Sequence, residues 1–228
     1  MCNLYAMTRS QDAMRHLAKA LRDTTGNLPP MPGIFPDYPA PIVRTGADGA
    51  REIAMARWGM PSPAFALQGK TVDRGITNLR NASSAHWLRW LGPANRCLVP
   101  FTSFSEPGRT AAGASEPVWF ALDNSRPLAF FAGVWTTWTS VRKTAEGPVT
   151  RDLFNFLTTD PNAEVAAVHP KAMPVILTAE DEIETWLGAP WAAAAALQRP
   201  LPDGALRIVA RGAKADERDP EASPGLAY

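Results

Sequence analysis

Apolar residues recur at helical spacing in three stretches of the chain. Ala13, Met14, Leu17, Ala18 and Leu21 fall on one face. Thr8 and Gln11 stand ahead of them at capping-box spacing, so a short amphipathic helix is predicted from about Ser10 to Arg22, with residues 1–7 preceding it. Trp87, Leu88 and Leu91 give Ser83–Leu91 helical character. A third helix starts at Thr178, carries Glu180, Asp181 and Glu182 in its first turn where they suit the helix dipole, and ends at Gly188. An Ala-rich helix follows it.

Between these stretches the pattern is that of strands. Ile42–Arg44 and Ile53–Trp58 read as two strands joined by the turn-forming Thr45-Gly46-Ala47-Asp48-Gly49, with WGMPSP breaking the second. Apolar β-like runs recur at Cys97–Phe101, Val118–Leu122, Leu128–Trp135, Asp152–Thr158, Met173–Leu177 and Leu206–Ala210, bounded by Pro, Gly, Asn or Asp. From Asn27 to Pro41 prolines crowd among apolar residues, which reads as an ordered but irregular surface excursion. The expected fold is α+β, a mainly antiparallel, barrel-like β-sheet core flanked by short helices. It forms one domain over residues 1–210, with a loose polar tail at 211–228.

Composition narrows the function classes. The 228 residues are 46% hydrophobic, enough for a sizeable core. With 23 basic and 22 acidic side chains the formal charge is +1, so bulk charge does not drive binding to polyanions and any such site is a local patch. The two cysteines, Cys2 and Cys97, form neither a CxxC pair nor a Cys/His cluster. Neither a disulfide framework nor a metal site is expected, no cofactor is called for, and a reducing, cytoplasmic setting fits. No apolar run approaches the roughly 18 residues of a membrane span. A monomer needing neither membrane nor protein partner is the expectation.

Cys2 is the first candidate for chemistry, although position 2 can also simply tolerate a small residue. Cysteine is small enough to permit removal of Met1, which leaves a thiol and an α-amine on adjacent carbons. Their ordinary pKa values, about 8.5 and about 7.7–8.0, make both partly nucleophilic near neutrality. An aldehyde is the distinctive partner, since the amine forms an imine and the thiol closes onto it as a five-membered thiazolidine. Acyl chemistry, with the terminal amine as base, is the alternative use. Glu106 in FTSFSEPG, where a strand-like run meets Pro-Gly, can face a pocket as a general acid or base, or be an exposed turn residue. His169 in AAVHPKAMPVIL, between two apolar segments, can shuttle protons or serve as an ordinary loop histidine. Asn78 and Arg80 in TNLRN can orient the nucleophile and bind a phosphate, or form a plain turn. Trp58 is either a wall on which a base stacks or a core residue. His16, His86 and Cys97 read as structural.

Taken in order, MC at the N-terminus, WGMPSP, TNLRN, RCLVPFTSFSEPG, FFAGVW and HPKAMPVIL resemble the SOS response-associated peptidase family from Cys2 to about Gly188. The resemblance implies an abasic-site processing protein, nucleoid-associated when on DNA, that binds single-stranded DNA and crosslinks itself to the ring-opened sugar aldehyde through Cys2. It also implies self-removal of Met1. By motif, Asn78 would hold the α-amine of Cys2, and Glu106 and His169 would handle protons. Arg80, Trp58, Lys171 and Pro39 would face DNA. Three departures stand out: Asn3-Leu4 replaces the usual Gly-Arg, Ala82 stands where a glutamate is common, and three residues rather than two separate His169 from Met173. A cysteine peptidase acting on other polypeptides and a noncovalent single-strand DNA-binding module are the competing readings.

Overall fold

The N-terminal residues expected only to lead into a helix form a strand, β1 (Leu4–Met7), every residue of which is buried. In the computed structural model, which describes residues 2–217, helix α1 (Gln11–Ala18) follows. It is shorter than predicted and is capped by Ser10, whose hydroxyl accepts from the Ala13 amide at 3.3 Å. Thr8 is occupied elsewhere, its amide donating to the Thr102 hydroxyl. Gln11 reaches forward to Asp23 and Gly26. Lys19 ends the helix by adopting φ 52°, its amide returning to the last carbonyls.

The chain continues through β2 (Arg22–Asp23), β3 (Met31–Ile34), β4 (Pro39–Thr45), β5 (Arg51–Trp58), β6 (Asn78–Leu79), α2 (Ala85–Leu88), β7 (Arg96–Phe101) and β8 (Ser103–Arg109). Then come β9 (Ser115–Ala121), β10 (Ala129–Val141), β11 (Pro148–Thr159), α3 (Ala163–Ala166), β12 (Met173–Pro174), β13 (Ile176–Leu177), α4 (Glu180–Gly188), α5 (Trp191–Ala194) and β14 (Arg207–Arg211). The proline-rich excursion therefore contains β3 and the start of β4. The Ala-rich helix is a single turn that tightens directly into a 3-10 turn over Ala195–Leu197.

Strands β11, β10, β7, β4 and β5 lie side by side, and the ring closes because Arg57 and Trp58 pair in parallel with Leu153 and Phe154. The fold is thus α+β around a closed five-stranded barrel. Phe101 and Phe131 stack inside it at 3.9 Å. The β7 segment reads as an unbroken apolar run because both its faces are covered, the outer one by Trp186 of α4, whose indole donates to the carbonyls of Cys97 at 2.9 Å and Gly133 at 3.2 Å.

A second antiparallel sheet, in the order β14-β9-β8-β1-β3, packs beside the barrel. Tyr5 joins the two, meeting Trp58 edge-on at 5.1 Å and Phe131 at 5.7 Å; each such buried ring contributes on the order of 2 kcal/mol. Strand β8 runs straight through Pro107-Gly108, where a turn was expected. Pro107 sits opposite Pro117, and a side chain at Gly108 would overlap Val118, so the glycine permits the close approach of β8 to β9.

Arg211, placed in the tail by the sequence pattern, closes β14, and residues 212–217 stay bound to the body. Asp216 is buried in a bidentate ion pair with Arg126 and accepts from the Ser103 hydroxyl. The remainder of the expected tail, 218–228, lies outside the described residues. Among the described residues no helix is long and apolar enough to cross a membrane.

Candidate active site

The pairings Leu4–Ser105 and Tyr5–Phe104 bring the first residues of the chain alongside Glu106. Cys2 is completely buried, and its Sγ–H donates to the Leu4 carbonyl at 3.5 Å. Burial drives the thiol pKa up, and the nearby negative charge of Glu106 adds to that rise. Met1, whose loss the resemblance implies, lies outside the described residues.

Asn78 reaches Cys2 from the barrel. The chain leaves β5 at Trp58 and returns at β6, where Asn78 and Leu79 pair in parallel with Phe156 and Leu157 on the strand that β5 has just left. From there the Asn78 side-chain amide donates to the Cys2 carbonyl at 2.9 Å and to the Thr77 hydroxyl at 2.8 Å. The Thr77 hydroxyl donates in turn to Asn3 Oδ1 at 3.0 Å. Asn78 thus holds the carbonyl side of Cys2, whereas the resemblance had it holding the amine.

Glu106 is 1% exposed, and burial pushes its carboxyl up to about 7. His169 Nε2 stands 3.8 Å from Glu106 Oε2. The histidine follows the single-turn helix α3, its amide donating to the Val165 carbonyl, rather than lying between two strands. Partial burial, with the positive charge of Lys171 assisting, lowers its pKa. Near neutrality the site therefore combines a carboxyl that readily holds a proton with an imidazole held in its neutral form, whose unprotonated ring nitrogen can take a proton in passing.

The residues assigned to DNA divide. Arg80, Lys171 and Pro39 are exposed. Arg80 pairs with Asp160 and its carbonyl accepts from Gln198. Trp58 is core and not a platform: it is fully buried, with Phe156 stacked on it at 5.3 Å and Phe154 at 6.4 Å, so no face is open to a base. Its indole N–H donates to the Thr77 carbonyl at 3.0 Å and thereby props the residue before Asn78. His86 contacts the Pro61 carbonyl, and Cys97 is buried in the core. Among the described residues no three metal-ligating side chains cluster.

Asn3 and Thr77 join this network without any mark in the sequence, apart from their adjacency to Cys2 and Asn78. Their roles depend on β1 and β6, short strands whose four and two residues are too few to show alternation.

The sequence pattern of one protein family, SOS response associated peptidase (SRAP), matches residues 1–211. No curated protein matches the chain. Similar solved structures include a protein from Bordetella bronchiseptica, 22% identical with a TM-score of 0.69, covering 92% of this chain and 98% of that one. Another, from Bacteroides thetaiotaomicron, is 20% identical with a TM-score of 0.66 and covers 90% of each chain. A phage-related protein of Bordetella bronchiseptica is 20% identical, with a TM-score of 0.65 over 90% of this chain and 92% of that one. At these identities the structures speak for the fold.

Proposed function

The chain belongs to the SOS response associated peptidase family, and from that premise we propose that it processes abasic sites, capturing the sugar aldehyde in single-stranded DNA on Cys2 once Met1 has been removed. The observation that carries the reading is the convergence on Cys2 of an amide that fixes its backbone and a buried carboxyl with a pKa of about 7.

Removal of Met1 hydrolyses the Met1–Cys2 amide and frees the α-amine. An abasic deoxyribose is mostly a closed hemiacetal, so a proton must reach the ring oxygen, and one must leave the anomeric hydroxyl, before an aldehyde exists. Glu106 and His169 suit those two transfers. The amine then adds to the aldehyde carbon, the carbonyl oxygen departs as water and an imine remains. The thiol adds across that imine to close the thiazolidine. Overall, one proton from nitrogen and one from sulfur leave with the oxygen, and no redox partner is needed. When Glu106 carries its proton it adds no negative charge beside the thiol, so the same event supplies the acid and eases thiolate formation. Arg80 and Lys171 are the cations suited to backbone phosphates, and Pro39 to the edge of the DNA path.

The mature protein, incubated with a single-stranded oligonucleotide bearing one abasic site, is expected to give a heat-stable adduct, and intact mass is expected to show that Met1 is gone. An equally strong adduct from Cys2→Ala, or from protein that retains Met1, overturns the proposal.

A further inference from the structure

Arg142 takes no part in the chemistry above, yet it is almost completely buried just beyond the end of β10. Its Nη2 donates to the carbonyl of Gly59. The same guanidinium lies beside Gly75, where φ is +75° and a side chain would overlap it outright. Gly59 and Gly75 stand at the two ends of the excursion, residues 59–77, that leaves the barrel at Trp58 and returns at Asn78.

The neighbouring contacts have the same arrangement. Met60 and Ile76 form a bridge across the base of the excursion. Asp73 accepts from the Ser62 hydroxyl at 2.6 Å and the Gly75 amide at 2.8 Å, while its own amide donates to Val141, the residue before Arg142. Immediately beyond this knot come Thr77 and Asn78, the residues that hold Asn3 and Cys2. A buried guanidinium carries a desolvation cost that an apolar side chain of similar length would not. What it supplies in return is a donor for Gly59 and an attraction to Asp73.

We propose that Arg142 is a positioning residue for the reaction at Cys2, clamping both ends of the 59–77 excursion so that Thr77 and Asn78 return at a fixed place over the nucleophile. The inference rests on the reading of Cys2 and Asn78 given above and assigns that reaction a residue outside its own pocket.

The test is a double-mutant cycle on the full chain, reading the single-turnover rate of adduct formation on an abasic single-stranded oligonucleotide. Arg142→Met is expected to slow the wild-type reaction by roughly ten- to hundredfold, the scale of a misplaced reactive group. In the Asn78→Ala background it is expected to change the rate less than about twofold, because the residue it positions is already gone. Arg142→Lys, which keeps a donor for Gly59, is expected to recover part of the loss. An unchanged rate in Arg142→Met, or the same fold-loss in both backgrounds, overturns the inference while leaving the crosslinking proposal standing. Should the wild-type protein form no adduct, the crosslinking proposal falls instead. Amide hydrogen exchange at Asn78 and Leu79 then decides the role of Arg142: faster exchange in the folded Arg142→Met protein supports the clamp, and unchanged exchange rejects it. Exchange in Arg142→Gln, which is shorter and uncharged, settles the matter in the same way if Arg142→Met does not fold.

Discussion

Glu106 is where the chemistry and the stability of this protein meet. Its carboxyl is raised from an ordinary 4.5 to about 7 by burial, so the folded protein holds a proton that the unfolded chain has already released. The resulting stabilisation is fully present below about pH 4.5 and is lost as the pH rises through about 7. Glu106→Gln, which is never charged, is therefore expected to match wild type at pH 4 and to exceed it at pH 8. The difference is on the order of 3 kcal/mol, read from denaturant midpoints at the two pH values. Equal stability of the two proteins at pH 8 would show that the charged carboxylate is well solvated or paired. The same substitution is expected to slow adduct formation, because the amide cannot deliver a proton. The rate of wild type relative to Glu106→Gln should fall as pH rises through about 7, and a ratio that stays constant across that range would remove Glu106 from the acid role. Asn78→Ala separates from this behaviour. It releases the Cys2 carbonyl without changing any charge, so its rate should be depressed by about tenfold or more with the pH profile unmoved.

Elements with one face on the core were legible from alternation and turn chemistry. The hairpin β4–β5 around Gly46–Gly49 and strands β7, β9 and β10 all fall where apolar runs meet turn residues. The elements that build the site were not. Strand β1 is buried on both sides and shows no polar positions, and β6 is two residues long. Both exist because long-range partners, Ser105 for Leu4 and Phe156 for Asn78, offer them a ladder, and no local pattern encodes a partner so distant along the chain. Cys2, Asn78, Glu106 and His169 could be named as candidates from residue type and motif order, but their spacing along the chain says nothing of a 3.8 Å approach between His169 and Glu106. Trp58 illustrates the converse: beside a Pro-rich break it looks available for stacking, yet the parallel closure of β5 on β11 buries it. At α1 the capping pattern pointed to Thr8, while Ser10 accepts the bond. Ser10→Ala is accordingly expected to cost about 1 kcal/mol and Thr8→Ala to leave α1 itself capped, as judged by thermal unfolding and by exchange at the Ala13 amide.

At the scale of the whole molecule, a barrel and a second sheet must be held in one register for residues from each to meet. Glu106 comes from the sheet and Cys2 from the residues leading into it, Asn78 comes from the barrel, and Tyr5 lies in the shared core. The sheet has its own outer fastening in Asp216, which reaches back to Arg126 and to Ser103, the first residue of the strand that carries Glu106. Asp216→Ala removes a buried carboxylate from a guanidinium that is partly exposed and keeps the Asn124 and Val209 carbonyls, so the loss is on the order of 2 kcal/mol. Because Ser103 is three residues from Glu106 on one continuous strand, loosening there should reach the carboxyl through added solvent access rather than through broken contacts. The expected outcome is twofold: a lower unfolding midpoint, and a pH–rate midpoint for adduct formation shifted below about 7 as Glu106 regains part of its hydration. A destabilised protein whose pH–rate midpoint stays in place would mean that the burial of Glu106 is set by β1 and the barrel alone, with the C-terminal strap serving only to hold the sheet together.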